Sequence, residues 1–346
     1  MTTAPACIRE NIDLQTCNTL ALPALARFFA KIHNVDELRE ALLWAQVQAL
    51  PLQVLGGGSN VILAGDWPGL VLLIAVAGKH IQRVEGGALV TIGAGENWHA
   101  LVQWTLANQL FGLENLTLIP GTAGAAPIQN IGAYGVEIAE RLHCVRGLSL
   151  DDLTLRELSV AECQLAYRDS IFKHSLRNRF IITEIVLHLR DQCVPVLSYP
   201  ALRDALADIA QPTALDVERA VRAIRQSRLP DPAQLPNAGS FFKNPVVTHA
   251  QFAQLQKMFT SIPSFAATDG VKIPAAWLVE QAGWKGRRVG SVGVHAQQAL
   301  VLIHYRDGNA ATAARELLDL AARIQRDVLA RFNIPLEFEP TVYGSA

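Results

Sequence analysis

The chain has 346 residues, half of them apolar, and its 30 basic and 31 acidic side chains leave a formal net charge of -1. This length allows two or three domains with a large buried core. The near-neutral charge excludes the large positive field by which proteins hold nucleic acid through phosphate neutralisation.

The first residues and the cysteines indicate a cytoplasmic protein. The opening MTTAPACIRENID lacks the basic and apolar segments of a secretory signal. The longest apolar run, GLVLLIAVAG from Gly69 to Gly78, is far shorter than the roughly 20 residues that span a bilayer. The five cysteines are scattered, without metal or redox spacing, as is typical of reduced thiols.

The first third of the chain alternates helix and strand signals. Asn34 and Glu37 are spaced as in a capping box, at the start of a helix that Pro51 stops. LQVL, from Leu52 to Leu55, reads as a buried strand, and VIL and LVLLIAV read as two more. A second helix is predicted from about Trp98 to Gln109.

Two glycine-rich stretches interrupt these elements. LGGGSN, at 55–60, follows the predicted strand and can expose backbone N–H groups to an anion. It lacks the Lys-Ser/Thr of a P-loop and the third glycine of a Rossmann fingerprint, so a tight strand-to-strand turn is an equally good interpretation of it alone. IPGTAGAAPIQNIGAYG, at 119–135, is predicted to be a long ordered loop. Together the two loops favour a dinucleotide held without a Rossmann fold.

The second half of the chain has a different pattern. Strands are predicted through 142–190, and then a helix that carries arginines 219, 222, 225 and 228. Helices follow near 249–258 and 274–282, then the strand ALVLIHY and a helix from Asn309 to about Phe332. A domain change is expected within 191–230. The predicted class is α+β, with several domains.

Several polar motifs each have a structural and a functional interpretation. AYRDSIFK, at 166–173, predicts either a surface turn with an Arg–Asp pair or an arginine fork that binds a carboxylate or oxyanion. The arginine run is typical of a solvated helix face, although Arg225 and Arg228 could contact phosphate. Glu337 and Glu339 in LEFEP are predicted to share one face of a short strand. The nine histidines show no zinc-ligand spacing, and Ser240 is not in a G-x-S-x-G motif.

Seven ordered blocks resemble the UDP-N-acetylenolpyruvoylglucosamine reductase (MurB) family. They are LGGGSNVIL, IPGTAGAAPIQNIGAYG, YRDSIFK, RLPDP, NAGSFFKNP, AAWLVEQAGWKG and VHAQQALVLI. The resemblance extends from Asn18 to Pro340, nearly the whole chain.

The resemblance implies an FAD-binding domain of the vanillyl-alcohol-oxidase (PCMH) type, followed by a smaller α/β substrate-binding domain. The implied boundaries are 22–192, split into subdomains near 75, then a connecting segment at 193–230 that carries a substrate loop. A C-terminal domain at 231–346 completes the chain, with its last strand returning to the active site.

The implied reaction uses noncovalent FAD and NADPH to reduce the enolpyruvyl ether of UDP-N-acetylglucosamine to UDP-N-acetylmuramate in peptidoglycan precursor synthesis. Hydride from flavin N5 adds to the terminal enolpyruvyl carbon and leaves an enediolate-like anion. By resemblance, Arg168 stabilises that anion, Glu339 polarises the same carboxylate, and Ser240 donates a proton to the adjacent carbon. Glu337 competes with Glu339 for the carboxylate role.

The remaining roles also come from the resemblance. FAD is expected on Gly56, Gly57, Gly58, Ser59, Asn60, Pro120, Gly121, Thr122, Gly124, Ala125, Gln129, Asn130, Gly132, Ala133 and Tyr134. Substrate contacts are expected from Tyr167, Tyr199, Arg225, Arg228, Asn244 and Gln297. Arg228 stands where a subgroup of the family has lysine, which binds phosphate differently. No metal, nucleic acid or membrane is expected to bind, and the protein is expected to be a monomer.

Two alternatives stay open at this point. One is another FAD-dependent oxidoreductase of the same fold, acting on a sugar or hydroxy acid, although it has no reason to keep YRDS together with GSFFKNP. The other is a flavin-binding protein without catalysis, which needs no proton donor.

Overall fold

The computed structural model describes residues 3–259, 261–267 and 269–344 of the chain. Seven α-helices lie within these residues: α1 (Val35–Val47), α2 (Trp98–Ala107), α3 (Pro200–Ala205), α4 (Ala214–Arg228), α5 (His249–Met258), α6 (Ala275–Gln281) and α7 (Ala313–Phe332).

The strands of the described residues are β1 (Ile8–Asp13), β2 (Leu25–Ile32), β3 (Leu52–Leu55), β4 (Val61–Leu63), β5 (Trp67–Ile74), β6 (Lys79–Val84), β7 (Gly87–Gly93), β8 (Gly132–Ala133), β9 (Val136–Glu137), β10 (Leu142–Ser149), β11 (Leu155–Ser159), β12 (Phe180–Arg190), β13 (Asn237–Ser240), β14 (Val246–Val247), β15 (Phe265–Ala267), β16 (Gly270–Lys272), β17 (Arg288–Val289), β18 (Val292–Val294), β19 (Val301–His304) and β20 (Thr341–Tyr343).

Helix starts follow the capping residues that the sequence provides. Asn34 Oδ1 accepts a hydrogen bond from Glu37 N at 2.9 Å, which confirms the predicted cap of α1. The reciprocal bond differs from a capping box, because Glu37 Oε2 accepts from His33 N at 2.7 Å, one residue before the cap. The His33 ring lies 3.3 Å from the same oxygen, so the carboxylate turns toward that residue.

The chain divides into two units. Unit 1 comprises Met1–Ile12, Leu25–Gly58 and Trp67–Ser227, and unit 2 comprises Asp13–Ala24, Ser59–Asp66 and Arg228–Ala346. The predicted boundaries at 22, 192 and 230 stay predictions, and the end of the predicted C-terminal domain, residues 345 and 346, lies outside the described residues.

Unit 1 contains two main sheets. In the first, of order β1-β2-β5-β3, both β2 and β3 run parallel to β5, and α1 connects β2 to β3. The buried strand predicted from Leu52 to Leu55 is confirmed as β3. The second sheet, of order β11-β10-β12-β7-β6, is antiparallel throughout. A continuous apolar core packs α1 and α2 with strands of both sheets.

Unit 2 is built on an antiparallel sheet of order β13-β19-β18-β17, with a three-stranded sheet β14-β16-β15. The long helix predicted near the C-terminus is confirmed as α7, after a 3-10 turn at Ala310–Thr312. Its buried residues recur every three or four positions, so one stripe enters the core of the unit. Near the end of the chain, β20 pairs in parallel with β4.

The mixture of helices with parallel and antiparallel sheets confirms the predicted α+β class. All five cysteines are free thiols. Among the described residues, no helix has both the length and the apolar character needed to cross a bilayer.

Candidate active site

The two glycine-rich loops predicted from the sequence contact each other in unit 1. A Cβ on Gly57 would lie 2.8 Å from the Gly121 Cα atom, and a Cβ on Gly56 would lie 2.6 Å from Thr122 Oγ1. These distances are too short for any side chain at either glycine. The loops therefore bring two stretches of main chain against one another, which the sequence pattern alone could not establish.

The longer loop is mostly irregular, as predicted, but it contains short 3-10 turns at Ala123–Ala125 and Pro127–Gln129 and the hairpin of β8 and β9. A Cβ on Gly124 would lie 2.5 Å from Ala94 Cβ, so this glycine lets the loop pack closely against Ala94, the residue that follows β7. Asn115 Nδ2 donates to Tyr134 O at 2.9 Å and ties down the end of the loop.

The turn AYRDS, at 166–170, is hydrogen-bonded to this loop at three points. Ser170 Oγ donates to Ile128 O at 2.6 Å, and Asn130 Nδ2 donates to Ala166 O at 3.1 Å. Arg168 Nη2 donates to Gly132 O at 3.1 Å. The two motifs therefore form one bonded assembly within unit 1, although 36 residues separate Arg168 from Gly132.

Arg168 occupies a left-handed backbone conformation, with a φ of +54°. Such a conformation is unfavourable for a residue with a Cβ and persists only where the surroundings impose it. Here Lys173 Nζ donates to the Arg168 carbonyl at 2.9 Å, and the guanidinium lies 5.5 Å from the Tyr167 ring centroid. Asp169 lies 2.7 Å from the ring of His174. The main side-chain contact of Asp169 is therefore His174, and not Arg168 as the surface-turn interpretation expects.

Arg225, on α4, lies in the electrostatic range of Arg168. Burial lowers the pKa of Arg225, and the positive charge of Arg168 lowers that pKa further, whereas Tyr134 raises it. Arg225 Nη2 donates to Leu118 O at 3.2 Å, while its buried Nε has no hydrogen-bond partner among the described residues. A pair of neighbouring guanidinium groups with a spare buried donor is suited to an anionic ligand.

Tyr199 precedes α3 and packs edge-on against Tyr134, with ring centroids 5.0 Å apart. Both rings join a small apolar cluster formed by Leu202, Leu206, Val217 and Val221. The structure thus brings a predicted flavin residue and a predicted substrate residue of unit 1 into contact. Tyr167 is exposed.

In unit 2, Ser240 ends β13 at the surface and pairs with Val301. Gly239 has a φ of +70°, and no atom lies within 4 Å of a Cβ built there, so this glycine is required by its conformation and not by crowding. The following Phe241 and Phe242 are fully buried, and their ring centroids lie 5.4 Å apart. The exposed serine hydroxyl therefore stands at the edge of a rigid aromatic core.

The predicted strand at LEFEP is wrong, because the segment forms only one isolated bridge, between Phe338 and Phe242. Lys243 N donates to Glu337 O, and Glu339 N donates to Phe241 O, both at 2.9 Å. These two bonds hold the segment beside FFK, and it bends at Glu339 before β20 begins. Local alternation could not reveal a pairing that depends on a partner almost 100 residues away.

The two candidate carboxylates have different surroundings in unit 2. Glu337 is exposed and forms an ion pair with Lys243, with 3.1 Å between Oε2 and Nζ. Glu339 is partly buried, and its carbonyl accepts a hydrogen bond from Asn60 Nδ2 at 3.4 Å. Because Asn60 is a predicted flavin contact and Phe241 adjoins Ser240, the surroundings of Glu339 favour it over Glu337.

The other predicted substrate residues are less closely grouped. Asn244 Oδ1 accepts a hydrogen bond from Ala275 N at 2.9 Å and so caps α6, a structural role that the sequence did not predict. Gln297 is exposed in the turn before β19, and Arg228 is exposed at the end of α4. In the described part of the chain, no group of three His, Cys, Asp or Glu residues could hold a metal ion.

Sequence reasoning missed a buried polar network within unit 1. Glu218 is fully buried on α4, and it accepts hydrogen bonds from Gln103, Thr117 and Arg222. The only signal in the sequence is the spacing of Glu218 and Arg222, which places them one helical turn apart. The predicted solvated face holds for Arg219 and Arg228, which are exposed, but not for Arg222 or Arg225, which are partly buried.

Two known families match separate parts of the chain. Residues 231–343 match the family described as UDP-N-acetylenolpyruvoylglucosamine reductase, C-terminal domain. Residues 26–150 match the FAD binding domain family.

Relatives named UDP-N-acetylenolpyruvoylglucosamine reductase match over almost the whole chain. The Pseudomonas fluorescens protein is 47% identical over 346 residues, covering 97% of this chain and 99% of its own. The Cupriavidus pinatubonensis protein is also 47% identical, covering 96% and 98%. The crystal structure of the Thermus caldophilus reductase has a TM-score of 0.67 at 24% identity, and it covers 97% of this chain and 100% of its own. That structural likeness supports the fold.

Proposed function

Because this chain belongs to the UDP-N-acetylenolpyruvoylglucosamine reductase family, we propose that it uses NADPH to reduce the enolpyruvyl ether of UDP-N-acetylglucosamine to the lactyl ether of UDP-N-acetylmuramate. Membership makes the protein an FAD-dependent oxidoreductase of cell-wall biogenesis whose substrate is a small UDP-sugar. Beyond this, we propose that NADPH is the hydride donor, that the site residues have the roles given below, and that the enzyme is a cytoplasmic monomer.

The described residues fit FAD. At the contact between Gly57 and Gly121 the two loops approach through their main chains, with no room for a side chain at Gly57. Glycine-rich main chain of this kind accommodates the diphosphate of a dinucleotide. We assign the diphosphate to 56–60 and the flavin and adenosine parts to 120–134. When bound, FAD would supply the redox chemistry that carries a hydride from NADPH to the terminal enolpyruvyl carbon.

The observation that carries the proposed chemistry is the held position of Arg168. Its left-handed backbone, the bond to Gly132 O and the bond from Lys173 to its own carbonyl fix it beside the glycine-rich loop. Addition of hydride to the terminal carbon of the substrate leaves an enediolate-like anion on the carboxylate side. A fixed guanidinium stabilises such a charge without reorganising during the reaction.

A second guanidinium supports the binding of a nucleotide substrate. Burial lowers the pKa of Arg225, the positive charge of Arg168 lowers that pKa further, and the Arg225 Nε remains a spare donor. An anion relieves that repulsion, and the diphosphate of a UDP-sugar is such an anion. Tyr199, packed on Tyr134, is proposed to close over the same diphosphate.

Ser240 is proposed as the proton donor to the carbon beside the substrate carboxylate. Its hydroxyl is exposed, and its backbone is fixed by pairing with Val301 and by the buried Phe241. Glu339 is proposed to polarise the carboxylate, since its main chain is held by Phe241 O and Asn60. A serine hydroxyl is a weak acid, so the acceptor must be as basic as an enediolate-like carbon.

The test separates the two halves of the reaction in Ser240→Ala. We expect the flavin of this variant to be bleached by NADPH at the wild-type rate. Its reoxidation by the enolpyruvyl substrate should slow by roughly 10²- to 10³-fold, as for other preorganised groups. Both rates are followed by flavin absorbance in a stopped-flow instrument without oxygen.

Ser264→Ala, which changes another exposed serine of unit 2, is the matched control and should leave both rates unchanged. Reoxidation of Ser240→Ala at the wild-type rate would rule out this serine as the proton donor.

A further inference from the structure

A buried carboxylate of unit 1 has no part in the chemistry proposed above. The Glu218 side chain is only 2% exposed. Its Oε1 accepts from Gln103 Nε2 and from Thr117 Oγ1, both at 2.8 Å. The same oxygen accepts from Arg222 Nε at 2.9 Å and from Arg222 Nη2 at 2.7 Å. One carboxylate therefore joins α2, the segment before the glycine-rich loop, and α4.

Glu218 is ionised in this setting. Burial by itself raises the pKa of Glu218, but the hydrogen bonds from Arg222, Thr117 and Gln103 outweigh it and lower the pKa. A buried ion pair contributes little net stability, whereas removal of one partner leaves the other charge and its donors unpaired. The network is therefore sensitive to any change at position 218.

The same network holds Leu118, which lies two residues before Pro120. Leu118 has a left-handed φ of +55°, and His99 Nδ1 accepts from its N–H at 3.2 Å. Burial and the charge of Arg222 lower the pKa of His99, so the ring stays neutral and can accept that bond. The carbonyl of Leu118 accepts from Arg225 Nη2 at 3.2 Å. Both main-chain groups of a strained residue are thus held by side chains of α2 and α4.

Hydrogen bonds restrain only part of the buried Arg225 guanidinium. The bond to Leu118 O fixes one nitrogen, and the buried Nε has no partner among the described residues. Glu218 lies seven residues earlier on α4, two helical turns away on nearly the same face. The position of the Arg225 guanidinium therefore depends on how α4 is held against α2 and Thr117.

We propose that Glu218 is a positioning residue for substrate binding: by joining α4 to Gln103 and Thr117, it sets the Arg225 guanidinium in the orientation that receives the diphosphate of the nucleotide substrate. This inference rests on the proposed substrate contact of Arg225. It predicts that loss of the Glu218 charge weakens substrate binding more than it slows the chemical step.

The first measurement compares Glu218→Gln with the wild-type holoenzyme. Glutamine keeps the shape but removes the charge and offers donors to neighbours that are themselves donors. We expect the KM for the UDP-linked substrate to rise about tenfold. FAD content, and the rate of flavin bleaching at saturating NADPH, should stay within about twofold of wild type.

Asp216→Asn is the matched control. It makes the same chemical change on the same helix, at a carboxylate that is bonded to Thr213 at the helix start and lies outside the network. This variant should leave the KM unchanged. A rise equal to that of Glu218→Gln would mean that the effect is a general weakening of α4, which would overturn the proposal.

A double-mutant cycle with Arg225→Ala distinguishes a failure of the proposed Glu218 role from a failure of the proposed Arg225 substrate contact. We expect Arg225→Ala to raise the KM by itself, and Glu218→Gln to add less than about twofold in that background. No change in Arg225→Ala would show that the proposed substrate contact is wrong. A full tenfold addition in the double variant, or no effect of Glu218→Gln in the wild-type background, would show that Glu218 does not act through Arg225.

Gln103→Leu replaces Glu218→Gln if the latter yields no folded protein. It removes one of the four donors to Glu218 and should raise the KM about threefold, again without effect in the Arg225→Ala background. An unchanged KM in Gln103→Leu would contradict the proposal.

Discussion

Arg168 combines a strained backbone with side-chain bonds to a loop that is distant in sequence. The left-handed conformation directs the Arg168 side chain differently from that of an extended or helical residue. The bond from Lys173 to the Arg168 carbonyl and the bond from the guanidinium to Gly132 O stabilise this arrangement. Strain of this kind tends to occur where a group must be fixed before a ligand arrives. The arrangement accounts for why the motif places lysine and arginine five positions apart.

Arg168→Lys tests whether the shape of this cation matters as well as its charge. Lysine keeps the positive charge but lacks the planar fork of donors. We expect flavin bleaching by NADPH to be unchanged and reoxidation by the enolpyruvyl substrate to fall by roughly 10²-fold, the lower range for one preorganised donor. Both rates come from the same stopped-flow traces.

The control for this variant is Arg177→Lys, at an exposed arginine of the same unit. Its rates should match wild type. Reoxidation of Arg168→Lys at the wild-type rate would mean that a point charge is sufficient, and the fork would have no special role.

At the level of single residues, the sequence predicts candidate residues but not their surroundings. Arg168 and Ser240 are predicted from their blocks and Glu339 from LEFEP, and the roles of all three stay predictions. The left-handed backbone of Arg168, the cap that Asn244 provides to α6, and the burial of Glu218 depend on contacts between distant segments. No local pattern encodes those contacts.

At the scale of elements, periodicity predicted helices well and short segments poorly. The helix predicted from Asn309 to about Phe332 is confirmed as α7, a helix of 20 residues. LEFEP was predicted as a strand because two glutamates alternate with apolar residues, but five residues are too few to distinguish a strand from a bridged bend. Glu337 and Glu339 therefore differ in burial although they alternate.

The start of α7 carries a pH-dependent restraint. Glu316 accepts hydrogen bonds from Ser291 N, Ser291 Oγ and Thr312 Oγ1, and the backbone bond is the largest cause that lowers its pKa to about 2. The ordinary pKa of this carboxyl is 4.5. A folded-state pKa below the unfolded value stabilises the fold above about pH 4.5, and this contribution is lost as the pH falls toward 2.

We therefore expect Glu316→Gln to lower the free energy of unfolding at pH 7 and to reduce its decline between about pH 4.5 and 2. Denaturant unfolding at several pH values measures both. Asp319→Asn, on the same helix, is the comparison. A Glu316→Gln protein whose stability falls over this range as steeply as that of the wild type would contradict the assignment.

At the scale of the whole molecule, each unit is built from segments that are not contiguous in the sequence. Unit 2 takes residues 13–24 and 59–66 from the first fifth of the chain, and β20 pairs Thr341 with Val61 across 280 positions. The sequence placed Ser59 and Asn60 in one continuous FAD-binding domain, whereas the structure groups them with Ser240 and Glu339. Pairing over such a separation follows from the packing of the complete fold, which neither composition nor periodicity reveals.

The most direct test of the central claim is a sequential anaerobic titration of the wild-type holoenzyme. NADPH is added to bleach the flavin absorbance, and UDP-N-acetylglucosamine enolpyruvate is then added without oxygen. We expect this substrate to restore the oxidised spectrum, with one UDP-N-acetylmuramate formed for each flavin reoxidised. A flavin that NADPH bleaches but this substrate leaves reduced would contradict the proposed acceptor.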